Sequence, residues 1–223
     1  MEITSSRNEI HFRRRFFHML SGTLIVLIAS CIGSKKVIVM LLCGLSGIAV
    51  LIELVRLSWT RANDWTMKLF GSLMRVGEKS QVSGLAHYCL GCTIAAIVFP
   101  RSIAFLSILY LAYGDPIASI AGVKFGKHLI WKHNQDVRKS VEGSLACFLF
   151  CAVMTFGLSF LFDMTSALPL DDRIIFSILG GLGAMIGEIL PLKTDDNLAL
   201  PLMSGAFLWL TSSIFNLIPG LYF

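Results

Sequence analysis

The sequence predicts an all-α, polytopic integral membrane protein with about seven transmembrane helices. Three observations carry that prediction. Of the 223 residues, 55% are hydrophobic and only 15% are charged, against roughly 25% charged in soluble domains. The apolar residues fall into seven stretches of helical length, separated by polar connections. Lys and Arg crowd into alternate connections, as they do when they orient a chain in a bilayer.

Residues 1–15 are a basic tail, and residues 16–223 form one transmembrane domain. The tail leads into apolar residues, but no small-x-small site closes that segment, so it reads as a retained first span rather than a signal peptide. The first span covers 16–32. Gly33-Ser34-Lys35-Lys36 turns the chain into the second, at 37–54. A polar connection then carries Arg56, Arg61, Lys68, Arg75 and Lys79 with Trp59, Trp65, Leu69 and Phe70. That mixture predicts an amphipathic helix at the membrane interface, the alternative being a loop helix packed on the bundle. The third span covers 85–99. The fourth covers 102–121, but its apolar run reaches Gly114-Asp115-Pro116 after about twelve residues, or about 18 Å against a hydrocarbon core of about 30 Å. Either Asp115 lies at membrane depth or the helix breaks there. Gly114 and Pro116 favour a broken helix near Asp115. Spans at 141–162, 174–189 and 198–218 follow. In the sixth, Gly183 and Gly187 form a small-xxx-small pair suited to close packing, within the chain or in a homo-oligomer.

With the N-terminus inside, the tail and the connections at 53–83, 114–140 and 188–197 hold fifteen Lys and Arg, against four on the other side. The expected topology is N-in, C-out. The net charge of +5 therefore orients the chain and does not suggest a nucleic-acid partner. The six cysteines all lie in apolar stretches and read as small hydrophobes.

The same parity puts Asp115, Lys139, Glu142, Glu188, Asp195 and Asp196 on one side, the cytoplasmic one. Ionisable groups near bilayer depth are costly unless paired, hydrated or metal-bound, so they mark a site. Three chemistries suit carboxylates beside lysines. One is a Mg²⁺-bound nucleotide, the ion taking one or two carboxylates plus phosphate oxygens. Another is an ion or proton pathway, as in an ion-coupled transporter. The third is structural pairing, with Lys139 and Glu142 at i,i+3 as a candidate. Gly114, Gly122 and Gly126 permit close backbone approach to a ligand. Ser140 stands as N-cap of a helix whose free N–H groups suit a phosphate. No GxxxxGK[ST] motif occurs.

Leu111-Ala112-Tyr113-Gly114-Asp115-Pro116, Gly122-Val123-Lys124-Phe125-Gly126-Lys127, Lys139-Ser140-Val141-Glu142-Gly143-Ser144, Glu188, and Asp195-Asp196-Asn197 before Pro201 appear in that order. Together they resemble the dolichol kinase, phytol kinase and CTP-dependent diacylglycerol kinase family. Arg15 with His18 and Ser21-Gly22, Glu53 with Arg56, and Arg75 with Glu78 resemble it too. The resemblance implies an integral membrane enzyme that transfers the terminal phosphate of a nucleotide, often CTP, to the hydroxyl of a membrane lipid: polyprenol, phytol-like alcohol or diacylglycerol. Related membrane enzymes instead act as CTP-dependent phosphatidate cytidylyltransferases. The compact chain suggests a member from a bacterial inner membrane or its equivalent, with the active site facing the cytoplasm.

On that reading Asp115 and Asp196 hold Mg²⁺, with Asp195 or Asn197 assisting. Lys139 contacts phosphate, followed by Lys124 and Arg138. Gly114, Gly122, Gly126, Ser140 and Asn197 belong to the nucleotide site. Glu142 and Glu188 orient a lysine or act as base. His18, Glu53, Arg56, Arg75 and Glu78 are support residues.

Overall fold

In the computed structural model, residues 12–131, 139–161, 168–192 and 194–217 are described. Arg138 lies outside them. The helices are α1 (Phe12–Cys31), α2 (Lys35–Ser58), α3 (Thr60–Phe70), α4 (Gly84–Val98), α5 (Arg101–Leu109), α6 (Asp115–Phe125), α7 (Val141–Leu161), α8 (Leu170–Ile189) and α9 (Asp196–Ile214). Among the described residues no strand forms, only an isolated antiparallel bridge between Leu129 and Ser140. Each of the seven apolar stretches is helical over most of its described residues.

Among the described residues four helices are long and apolar enough to cross a membrane: Lys35–Ser58, Arg101–Phe125, Val141–Phe160 and Asp196–Ile214. The remaining candidates fall short for simple reasons. α4 has 15 residues, a length of about 22 Å. α1 begins with Arg13, Arg14 and Arg15, and α8 contains Asp171, Asp172, Arg173 and Glu188. The outer faces are strongly apolar: Met40 is 71% exposed, Val153 72% and Leu210 62%. Such faces suit lipid, not water.

The central element is the run through α5 and α6, 72% buried against 22% for α2. The expected break at Asp115 is absent. A π turn, Tyr110–Gly114, joins α5 to α6, and the helix continues to Phe125. Pro116 has no N–H to donate and its ring crowds the turn before it. The widened π turn absorbs both effects, so the chain bulges instead of breaking. Of the two alternatives for Asp115, the broken helix is the one the structure does not adopt.

The glycines of α8 are occupied within the chain. A Cβ on Gly183 would lie 3.1 Å from the Ser204 carbonyl, and one on Gly187 3.0 Å from the Leu200 carbonyl, both on α9. On the other flank Gly181 approaches the Phe148 carbonyl of α7. The predicted small-xxx-small pair thus closes α8 onto α9. All six cysteines are free. α3 buries none of its residues, and Trp65 and Leu69 are each 67% exposed. It lies against the end of α2, where Arg56 donates to Asn63 Oδ1 at 3.3 Å and Asn63 Nδ2 donates to the Lys79 carbonyl at 2.8 Å.

Candidate active site

One end of the bundle opens into a cavity of about 790 Å³, within the size range of small-molecule sites. Its wall is polar. Arg14, Arg15 and His18 come from α1. Asp115, Ser119 and Gly122 come from α6, and Gly126, Lys127, Lys139 and Ser140 from the segment after it. Glu188 ends α8, Asp195 and Asp196 begin α9, and Arg75 reaches in from the loop before α4.

Local structure explains how each group arrives. Asp115, Ser119 and Gly122 recur at helical spacing on one face of α6, and Gly126 follows at its C-cap. The chain after α6 is clipped back on itself: Ile130 N–H donates to the Lys139 carbonyl, and Val141 N–H to the His128 carbonyl, both at 2.9 Å. That clip aims Lys139 inward. Lys139 Nζ donates to Asp196 Oδ1 at 3.1 Å and to the Glu188 carbonyl. Ser140 caps α7, its Oγ accepting from Gly143 N–H at 3.1 Å, as expected. Asp195 caps α9 by accepting from Asn197 N–H at 2.9 Å.

The charges are mixed. Asp115, Glu188 and Asp196 are near enough to repel one another, and Lys139 attracts the last two. Arg15 attracts Asp115 and donates to Ser119 Oγ. At the rim Arg14 pairs with Glu78 at 2.9 Å, and Arg75 with Asp195 at 3.1 Å. Asp115 has no hydrogen bond or ion pair of its own among the described residues. Among those residues no three His, Cys, Asp or Glu side chains converge as a metal cluster. Asp115 and Asp196 fit the Mg²⁺ pattern in which one or two carboxylates act together with substrate phosphates.

Several expected site residues lie elsewhere. Glu142 faces away, bound to His128 Nδ1 at 2.7 Å. It does not pair with Lys139, because the clip turns Lys139 toward Asp196. Lys124 points outward over the Phe125 ring, 5.3 Å from its centroid; Lys127 lines the cavity instead. Gly114 faces the Cys147 and Cys151 sulfurs, where it makes room for α7. Asn197 is 1% exposed and donates to the Gly84 carbonyl at 2.8 Å, tying α9 to α4. Glu53 and Arg56 form a buried bidentate pair, at 2.9 and 2.6 Å. Arg56 also donates to the Glu78 and Gln81 carbonyls, and Ser83 donates to Glu53. This network anchors the loop that carries Arg75 and Glu78.

Five polar lining groups have no role in the site assigned from the sequence: Arg14, Arg15, Ser119, Lys127 and Thr194. Ser119 stands one turn after Asp115, a spacing that identifies it once α6 is known to be continuous.

The chain is 33% identical over 167 residues to CTP-dependent diacylglycerol kinase 1 of Schizosaccharomyces pombe, spanning 71% of this chain and 73% of that protein. It belongs to the family of CTP-dependent diacylglycerol kinases and phytol kinases. This lipid kinase family member is also 29% identical over 178 residues to CTP-dependent diacylglycerol kinase 1 of Saccharomyces cerevisiae, spanning 72% of this chain and 59% of the yeast protein. Phytol kinase 1, chloroplastic, of Arabidopsis thaliana is 27% identical over 213 residues, which is 90% of this chain and 67% of the plant protein. No family model matches the sequence, and no solved structure matches it.

Proposed function

We propose that the protein transfers the terminal phosphate of CTP to the hydroxyl of a membrane lipid, with Mg²⁺, at the cytoplasmic face. Diacylglycerol is the first acceptor proposed, since diacylglycerol kinases are the better-matched relatives; a phytol-like alcohol or polyprenol is second. The observation that carries the reading is a single cavity that joins carboxylates to lysine and arginine at one end of an apolar bundle. Phosphoryl transfer requires positioning and charge neutralisation far more than covalent chemistry from the protein.

Asp115 and Asp196 would hold Mg²⁺, which supplies neutralisation of phosphate charge when bound. Asp195 contributes by fixing the start of α9. Lys139 binds a phosphate oxygen, and its contact with Asp196 sets its direction. Gly122, Gly126 and Ser140 let the phosphate chain lie close to the backbone. Glu188 buttresses the site through Ser144 Oγ, which donates to its carboxylate at 2.6 Å. Arg75 and Glu78 brace the rim. We further propose seven spans with the N-terminus inside, supported by the fifteen-to-four bias of Lys and Arg, and residence in a bacterial inner membrane or its equivalent.

The test uses purified protein, Mg²⁺, and CTP labelled at either the γ or the α phosphate, with diacylglycerol, phytol, a polyprenol or phosphatidate. Label should enter lipid from γ-labelled CTP only. Entry from α-labelled CTP would mean cytidylyl transfer. No labelled lipid from either would refute the reading, and ion-coupled uptake by the same protein would replace it with transport.

A further inference from the structure

His18 lies on α1 one turn beyond Arg14 and Arg15, and it lines the cavity. Only 6% of it is exposed, and its Nδ1 is buried without a hydrogen-bond partner. A buried ring nitrogen left unpaired costs stability, and a histidine kept for structure normally recovers that by bonding a neighbour. This one does not, yet it is held firmly. Ser21 Oγ and the Tyr88 hydroxyl both donate to the His18 carbonyl at 3.2 Å. The ring stands edge-on to Tyr88, with centroids 4.8 Å apart. One turn further, a side chain on Gly22 would strike Ala112 Cβ at 2.4 Å and the Tyr88 hydroxyl at 2.7 Å. α1 is therefore seated tightly beside the π turn that precedes Asp115.

The other bases of the cavity are engaged. Asp195 accepts from Arg75 and Asn197 N–H, Asp196 from Lys139, and Glu188 from Ser144. Asp115 is assigned to Mg²⁺ under the reading above, on which this inference rests. His18 also sits at the right boundary. Phe16 and Leu20 of the same helix are 66% and 47% exposed on the apolar exterior. α1 thus turns one face to the apolar exterior and the opposite face to the cavity, which puts His18 one helix diameter, roughly 10 Å, from the apolar exterior.

We propose that His18 binds the acceptor's hydroxyl at Nε2, the ring nitrogen that is not sealed away from the cavity, and takes its proton there. The hydroxyl oxygen bonds to the γ-phosphorus of CTP, and the bond from that phosphorus to the β–γ bridging oxygen breaks. CDP leaves with the electron pair, and the hydroxyl proton passes to the imidazole, later to be lost to water.

The experiment uses the full chain in detergent–lipid micelles with γ-labelled CTP and diacylglycerol, phytol or a polyprenol, comparing wild type with His18→Gln and His18→Ala. Both substitutions should lower kcat about 10²-fold while leaving KM for CTP within about threefold. Added imidazole should restore part of the rate to His18→Ala, which a packing role would not allow. If the alanine variant does not fold, the glutamine variant, which keeps volume and hydrogen bonding, decides. A glutamine variant with near-normal kcat overturns the proposal, and so does a loss of CTP binding that parallels the loss of rate. If wild type phosphorylates no alcohol, the kinase reading falls and this proposal with it. If wild type is active and His18→Gln matches it, only this proposal falls.

Discussion

Lys139→Gln removes the cation between Asp196 and Glu188 at nearly constant volume. The Lys139–Asp196 contact is 3.1 Å, with 13% and 34% of the two side chains exposed. Coulomb's law at an effective dielectric of about 20 gives a gross attraction of about 5 kcal/mol at that separation. Desolvation of the two partly buried ions offsets several kcal/mol of this, so the pair contributes little net stability. Removing one member is different. Asp196 then lies uncompensated beside Asp115 and Glu188, whose charges already repel it. A cation placed for charge that grows in the transition state is worth about 3–4 kcal/mol, or 10² to 10³ in kcat. The variant should therefore lose about 10²- to 10³-fold in kcat/KM for CTP. The assay is a mutant cycle of Lys139→Gln, Asp196→Asn and the double variant, scoring thermal stability and labelled lipid formation together. Stability should return in the double variant, since neither charge is left alone, whereas activity should not. A double variant that recovers both, or a Lys139→Gln enzyme within about threefold of wild type, refutes the reasoning.

Other outcomes follow from the same geometry. Arg56→Met strands the Glu53 carboxylate and frees two loop carbonyls, so it should cost about 3–5 kcal/mol in unfolding experiments, and pairing it with Glu53→Gln should recover most of that. Gly126→Ala places a Cβ 2.2 Å from the Gly122 carbonyl and 2.8 Å from Ser140 Oγ. The shift it forces beside Lys139 should lower kcat/KM by about 10²-fold with the fold intact by circular dichroism.

The helical class was legible because lipid demands long apolar runs with internally satisfied backbones; the helix ends were not, since α1 starts at Phe12 and α8 at Leu170, each four residues before the apolar stretch. Residue type and flanking geometry were enough to single out Asp115, Lys139 and Asp196, and all three line the cavity. Glu142 and Lys124 were misplaced for one reason. Both adjoin the connection between α6 and α7, and their direction depends on how that chain is clipped. The supposed break at Asp115 hid Ser119, which only a continuous helix puts on the same face.

Composition and charge placement alone therefore determined that the chain is a membrane bundle with acids and bases gathered at matching helix ends. Which of those groups face one another was decided by tertiary structure. A π turn, a backbone clip and glycine-tight helix contacts set rotations about helix axes, and such rotations depend on packing between distant segments. Linear order records which end of a helix a residue occupies, but its partner across the cavity is chosen by contacts more than a hundred residues apart, as between Arg75 and Asp195.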